Sequence, residues 1–154
     1  MTIHTKVLGA IVALTLFHVP VTAQSEEDAA AIEAAAMDYI LGFYEGKPER
    51  LERALSPELK KLGWGRRASE GPYQGPFYMT RDSAKEFAPG YSANEQLPAD
   101  AHKKVEILDQ LDKIASVRIE AVWGIDYMHM AKIEGEWKIY NVIWQTWPDG
   151  VERK

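Results

Sequence analysis

Three side chains on one extended run are the first candidates for chemistry. Asp126, Tyr127 and His129 lie within residues 125–133, where alternation sends Tyr127 and His129 to one face and Asp126, Met128 and Met130 to the other. A tyrosine and a histidine side by side can hydrogen-bond a ligand, and histidine changes charge near neutrality. If that face is packed core, His129 is instead a satisfied buried histidine. Asp126 follows Gly124 by two residues, where a carboxylate can cap a bend. Asn141 stands between Ile139 and Ile143, an amide at an apolar-face position. A buried amide needs partners whose loss costs ~1–3 kcal/mol. Those partners are a ligand, a neighbouring strand or a water.

The sequence excludes other chemistries. There is no cysteine, so disulfides, thiol catalysis, iron–sulfur clusters and cysteine-ligated zinc are ruled out. Beyond the N-terminal leader the histidines are His102 and His129, and neither stands at metal-ligand spacing from a second histidine or a carboxylate cluster. No metal and no cofactor is expected. No glycine-rich phosphate loop, nucleophile elbow or paired-carboxylate glycosidase pattern occurs.

The leader is residues 1–23. Lys6 precedes an apolar run over residues 7–19, then Pro20 and the small-residue ending Val21-Thr22-Ala23, the pattern of a cleavable signal peptide. The apolar run is shorter than the roughly 20 residues that span a bilayer. The expectation is a periplasmic or secreted protein, one domain over residues 24–154, with no membrane contact after cleavage. Losing Lys6 from 18 basic residues leaves 17 against 23 acidic, a net −6, which repels phosphate backbones, so nucleic acid is not an expected partner.

Residues 26–45 carry Ile32, Ala36, Tyr39, Ile40 and Phe43 at helical spacing, predicting a long amphipathic helix. Gly46-Lys47-Pro48 breaks it, and Pro48 opens a second, short helix with Leu51, Ala54 and Leu55 inward. Ser56 suits an N-cap and Pro57 a first helical position, which predicts one further turn over residues 58–62. Residues 69–77, with two prolines and two glycines, read as a loop or ragged edge strand. Thr80-Arg81-Asp82-Ser83 starts a third helix that Pro89-Gly90 is expected to stop. Strands follow over residues 104–109, 114–123, 125–133 and 137–147. Helices first and a meander last predict an α+β fold, with helices packed on one face of a curved antiparallel sheet and a cavity between them.

Three segments carry a family resemblance. They are Tyr39-Ile40-Leu41-Gly42-Phe43-Tyr44-Glu45-Gly46, Ser56-Pro57-Glu58-Leu59-Lys60-Lys61, and Asp126-Tyr127-Met128-His129-Met130-Ala131-Lys132-Ile133-Glu134-Gly135-Glu136-Trp137-Lys138-Ile139. Together they resemble the “Putative lumazine-binding” family of the nuclear transport factor 2-like superfamily. The resemblance implies a cone-shaped fold around a pocket, the fold that also carries ketosteroid isomerase and polyketide cyclases. Where the resembling sequences tend to have His-Pro, this chain has Ser56-Pro57, which removes an ionisable group.

Related enzymes place a carboxylate and a tyrosine in the cone, which directs attention to Asp38, Tyr39 and Tyr44. Asp38 and Tyr39 are about 100° apart on a helix, so they do not line one pocket together, and Tyr39 reads as core with its hydroxyl at the rim. Alternation places Tyr140, Val142 and Trp144 opposite Trp137, Ile139 and Ile143. Both sheet faces are then apolar, which predicts a homodimer through the sheet. Three readings stand: a binding protein for a small apolar or aromatic ligand, with Tyr39, Asp126, Tyr127, His129 and Asn141 as candidate contacts; an isomerase- or cyclase-like enzyme; and a non-catalytic interaction module.

Overall fold

The computed structural model describes residues 21–66 and 71–151, with side chains from Ser25 onward. Residues 1–20 of the expected leader lie outside the described residues, as do residues 67–70. The elements run α1 (Val21–Tyr44), α2 (Pro48–Ala54), β1 (Leu55–Gly65), β2 (Gln74–Met79), α3 (Arg81–Glu95), β3 (Lys103–Gln110), β4 (Ile114–Ala121), β5 (Gly124–Ile133) and β6 (Glu136–Thr146). This is an α+β fold: helices packed on a curved, unclosed six-stranded sheet of order β2-β1-β6-β5-β4-β3. No helix among the described residues is long and apolar enough to cross a membrane.

The predicted stripe of α1 is the inward one. Ile32, Ala36, Tyr39, Ile40 and Phe43 are all buried against the sheet. Gly46, at φ 64°, turns the chain into α2. Leu51 then sits so close to Gly42 that a Cβ there would fall 2.7 Å from its side chain. On the outer side Asp38 is held by Arg50 at 2.5 Å and Arg53 at 3.0 Å, a surface clamp between α1 and α2.

The sheet departs from the expected antiparallel meander at one seam. Strands β3 to β6 and the β1–β2 pair are antiparallel, but β1 runs parallel to β6. The segment expected to form a helical turn at residues 58–62 is strand. The capping chemistry of Ser56 is real but serves a bulge: its Oγ accepts the Glu58 N–H at 3.1 Å, and residues 56–59 bow out between the Leu55–Ile139 and Lys60–Asn141 pairs.

A second irregularity reverses a face assignment. Along β6, Ile139 faces Met130 and Asn141 faces His129, which leaves Tyr140 unpaired as a β-bulge. The extra residue shifts the alternation, so Trp137 and Ile139 before it and Val142 after it are all buried, with Trp144 packed on the same core. The apolar residues of β6 do not divide evenly between two faces.

Pro89 does not end α3. It lies inside the helix, which opens on a Thr80–Ser83 capping box and continues to Glu95. The lost backbone bond at the proline is offset by what the last turns reach: Ser92 Oγ donates to the Tyr44 carbonyl at 2.9 Å, and Tyr91 packs edge-on against Phe43 and Trp123.

At the far end of α1, buried Asp28 accepts from Lys132 Nζ at 2.6 Å and Trp137 Nε1 at 3.1 Å, fastening the helix to the β5–β6 hairpin. These hydrogen bonds, from Lys132 first and Trp137 next, outweigh burial and hold its carboxyl below the ordinary aspartate value. Asp28→Asn is therefore expected to lower stability at pH 7 by about 1–3 kcal/mol. Because the folded value is depressed, this contribution is complete above the unfolded value and is lost as pH falls through the folded one. Urea unfolding at stepped pH should show the gap between wild type and variant closing in the acid range.

Candidate functional site

In β1 the alternation points Leu59, Lys61 and Gly63 inward. Lys61 is only 8% exposed, and its ammonium ends among groups from three other parts of the chain. It donates to Tyr39 Oη of α1 and lies 3.6 Å from Asp126 Oδ2 of β5. Tyr39 Oη in turn donates to the same Oδ2 at 2.6 Å. Trp123, in the two-residue turn joining β4 and β5, donates from Nε1 to Asp126 Oδ1 at 2.7 Å. Each oxygen of a fully buried carboxylate is thus occupied, as burial of a charge requires.

Four rings surround the same ammonium. Nζ lies 4.9 Å from the ring centre of Tyr39, 5.3 Å from those of Phe43 and Trp144, and 5.8 Å from that of Trp123, within cation–π range. On its open side is a cavity of about 370 Å³, of the size that takes small organic molecules. Its walls are Phe43 of α1, Phe77, Tyr78 and Met79 of β2, Phe87 and Tyr91 of α3, Trp123, and Trp144 of β6, with Lys61 as the one charged side chain among the described residues lining it. Phe77, Tyr78 and Phe87 are exposed and form the mouth.

Burial pushes the Lys61 amine below the ordinary lysine value, and the Asp126 charge opposes that shift. Burial raises the Tyr39 phenol well above its usual value, and neighbouring Asp126 adds to the effect. Tyr91 is raised the same way, by burial first and then by Glu95. Both phenols therefore remain neutral hydroxyls at physiological pH. The cluster offers the cavity a hydrogen-bond donor, while Asp126 stands behind Lys61, Tyr39 and Trp123, itself inaccessible.

Of the residues singled out in the sequence, Tyr39 and Asp126 come together here. Tyr39 has its hydroxyl in the buried cluster and not at a rim. Tyr127, 53% exposed, and His129 lie on the opposite, outer face of β5. His129 borders a smaller hollow of about 200 Å³ with Asp109, Leu111, Ile114 and Ser116. Asn141 is an outer-face residue whose amide donates to the Lys60 carbonyl at 3.1 Å, so its partner is the neighbouring strand. Tyr44 bridges the His102 carbonyl, at 2.5 Å, and the Val122 N–H, at 2.8 Å. Ser56 is buried in its bulge and outside the cavity lining.

Sequence reasoning missed Lys61, because a helical turn over residues 58–62 would leave Lys60 and Lys61 in solvent. Read as a strand, Leu59-x-Lys61-x-Gly63 places the lysine on the apolar side. Gly63 is a further signal. A Cβ there would overlap the Trp144 backbone oxygen and indole, so the glycine is what lets that ring lie against β1 and wall the cavity.

The structure defines an α+β protein with an aromatic-walled cavity open at one side, and similar proteins agree with that fold. The family described as “Putative lumazine-binding” matches residues 27–145; the chain belongs to that family. Among solved structures it is similar to an NTF2-like protein of unknown function from Silicibacter pomeroyi, at 20% identity and TM-score 0.59 over 79% of this chain and 98% of that one. It is also similar to a “Putative Scytalone Dehydratase” from Novosphingobium aromaticivorans, at 17% identity and TM-score 0.57 over 86% and 99%. A third is a hexachlorocyclohexane dehydrochlorinase from Novosphingobium barchaimii, at 13% identity and TM-score 0.51 over 81% and 90%. At these identities the likeness is one of fold. No curated protein matches the chain.

Two substitutions probe the construction. Tyr39→Phe removes the hydroxyl that links Lys61 to Asp126 and should cost about 1–3 kcal/mol in urea unfolding. Gly63→Ala should displace the Trp144 indole, reducing the near-ultraviolet circular dichroism and lowering stability by about 1–3 kcal/mol. An unchanged aromatic signal would show that Trp144 does not depend on the glycine.

Proposed function

We propose that the protein binds a small apolar or aromatic molecule in the cavity above Lys61. One observation carries this reading: a cavity of about 370 Å³ walled mainly by aromatic rings, with Lys61 as the single charged side chain among the described residues lining it. Such a site gives affinity through ring burial and orientation through one polar contact.

The dehydratase and dehydrochlorinase names among the fold's relatives keep an enzymatic reading in view. It is less well supported, because no Asp, Glu or His is among the described residues lining the cavity, and a general base must reach the proton it removes. Asp126 would have to displace Tyr39 and Lys61 to do so.

The same proposal places the protein outside the cytoplasm, on the strength of the leader pattern in residues 1–23. It also has two copies joining through the outer sheet face, where Tyr127 lies opposite Ile143 and both are exposed.

Native mass spectrometry of the protein, expressed with its leader and purified from the exported fraction, tests these points together. The expected result is a dimer lacking residues 1–23 and carrying a small-molecule adduct that denaturation releases. Trp144→Ala should lose the adduct. A species that stays empty, and whose tryptophan fluorescence is unmoved by planar aromatic compounds, would overturn the binding assignment.

A further inference from the structure

What the cavity admits is decided by charge balance at its floor. This step rests on the reading of the cavity as a binding site. Asp126 accepts from Tyr39 Oη and Trp123 Nε1 and donates to neither, the pattern of a carboxylate. Lys61 is its ion-pair partner, so the buried pair is neutral as a unit. Tyr91, its phenol raised by burial, adds no charge.

A ligand that brings its own carboxylate or phosphate would place a second negative charge beside a single ammonium, against aromatic walls. No second cation is among the described residues lining the cavity to neutralise the surplus charge, and burying an uncompensated ion is costly. A cationic ligand would meet the Lys61 ammonium head-on. A pure hydrocarbon would satisfy the walls but not the lysine. An ammonium carries three N–H groups: one goes to Tyr39, and Asp126 at 3.6 Å is an ion-pair contact beyond ordinary hydrogen-bond length. The capacity left over faces ring surfaces and the cavity.

We propose that the site selects a neutral, planar, largely aromatic molecule whose carbonyl oxygen accepts a hydrogen bond from Lys61 Nζ, with its ring system lodged among Trp144, Phe43 and Phe87. The contact supplies the acceptor that the protein leaves out and adds no net charge to the floor.

Three probes of one shape separate the alternatives: naphthalene, 2-acetylnaphthalene and 2-naphthoate, measured by equilibrium dialysis at pH 7 against the full protein. The ketone should bind about tenfold tighter than the hydrocarbon, the effect of one hydrogen bond from a charged donor, and tighter than the carboxylate. In Lys61→Met the ketone should fall to the affinity of naphthalene, while naphthalene itself is retained. The double variant Lys61→Met/Asp126→Asn keeps the floor neutral and serves if the single variant does not fold. Naphthoate binding tightest, equal affinity of ketone and hydrocarbon, or a ketone preference surviving in either folded variant would overturn the proposal and leave the cavity reading intact. Failure of all three probes to bind would instead remove the cavity reading, and this selectivity with it.

Discussion

A charged amine buried under the sheet must be neutralised where it stands, and the architecture is organised around that requirement. Lys61 enters from β1, Tyr39 from α1, Trp123 from the β4–β5 turn and Asp126 from β5, so one hydrogen-bonded cluster joins the helical layer to two separate regions of the sheet. Removing one member of a buried pair leaves the other uncompensated and destabilises strongly. Helix α1 cannot rotate or slide by a turn without withdrawing the Tyr39 hydroxyl, and β1 cannot slip by one residue without sending Lys61 to solvent. The cluster therefore acts as a register pin between the layers, at the opposite end of α1 from the Asp28 clamp on Lys132 and Trp137.

The same cluster explains why an opening persists beside the core. Side chains such as Ile32, Ile40 and Met128 fill the space elsewhere under α1, whereas the rings near Lys61 are held edge-to-face, with Tyr39, Phe43, Tyr44 and Tyr91 each 5.6 to 6.0 Å from the Trp123 centroid. Rings fixed in that geometry cannot collapse onto the ammonium without losing their own contacts. The course of α3 past Pro89 matters here, since a helix ended at the proline would not carry Tyr91 to this wall. The cavity is thus a product of rings held by one another, and walls already in place would lower the ordering cost of the proposed binding.

The fold class and the elements other than β1 were legible from hydrophobic periodicity and breaker residues: the α1 stripe and the β4 alternation of Ala115, Val117, Ile119 and Ala121 reappear as buried residues. What was not legible has a common physical cause. A β-bulge at Tyr140 reverses the alternation along β6, and a wider one at residues 56–59 hides a strand behind helix-start chemistry. Local sequence reports which residues favour a turn or cap, but a bulge is set by a pairing partner on another strand, His129 and Met130 for Tyr140 and the distant Ile139 and Asn141 for residues 56–59. Lys61 was lost with the second bulge. Asp126 and Tyr39 were visible as polar groups at apolar-face positions. Their pairing across 87 residues was not. Pro89 misled in the same way, because the tertiary contacts of Tyr91 and Ser92 outweigh a local breaker.

The order in which the charges lie, moving outward from the core, separates recognition from proton transfer. A fold of this shape can present to its cavity either an acceptor, which abstracts protons, or a donor, which holds oxygen. Here the carboxylate is innermost, both its oxygens engaged, and the ammonium lies between it and the cavity. Exchanging the two would put a partly desolvated carboxylate against the ligand, and desolvation would then raise its basicity toward a catalytic range. In the arrangement observed, Asp126 spends its charge on holding Lys61, and Lys61 presents N–H groups that strengthen with the low polarity around them. That order argues against Asp126 as a base and supports the proposed orientation of a carbonyl by Lys61. Asp126, itself buried, therefore reaches the cavity only through the side chains it holds, Lys61 and Trp123.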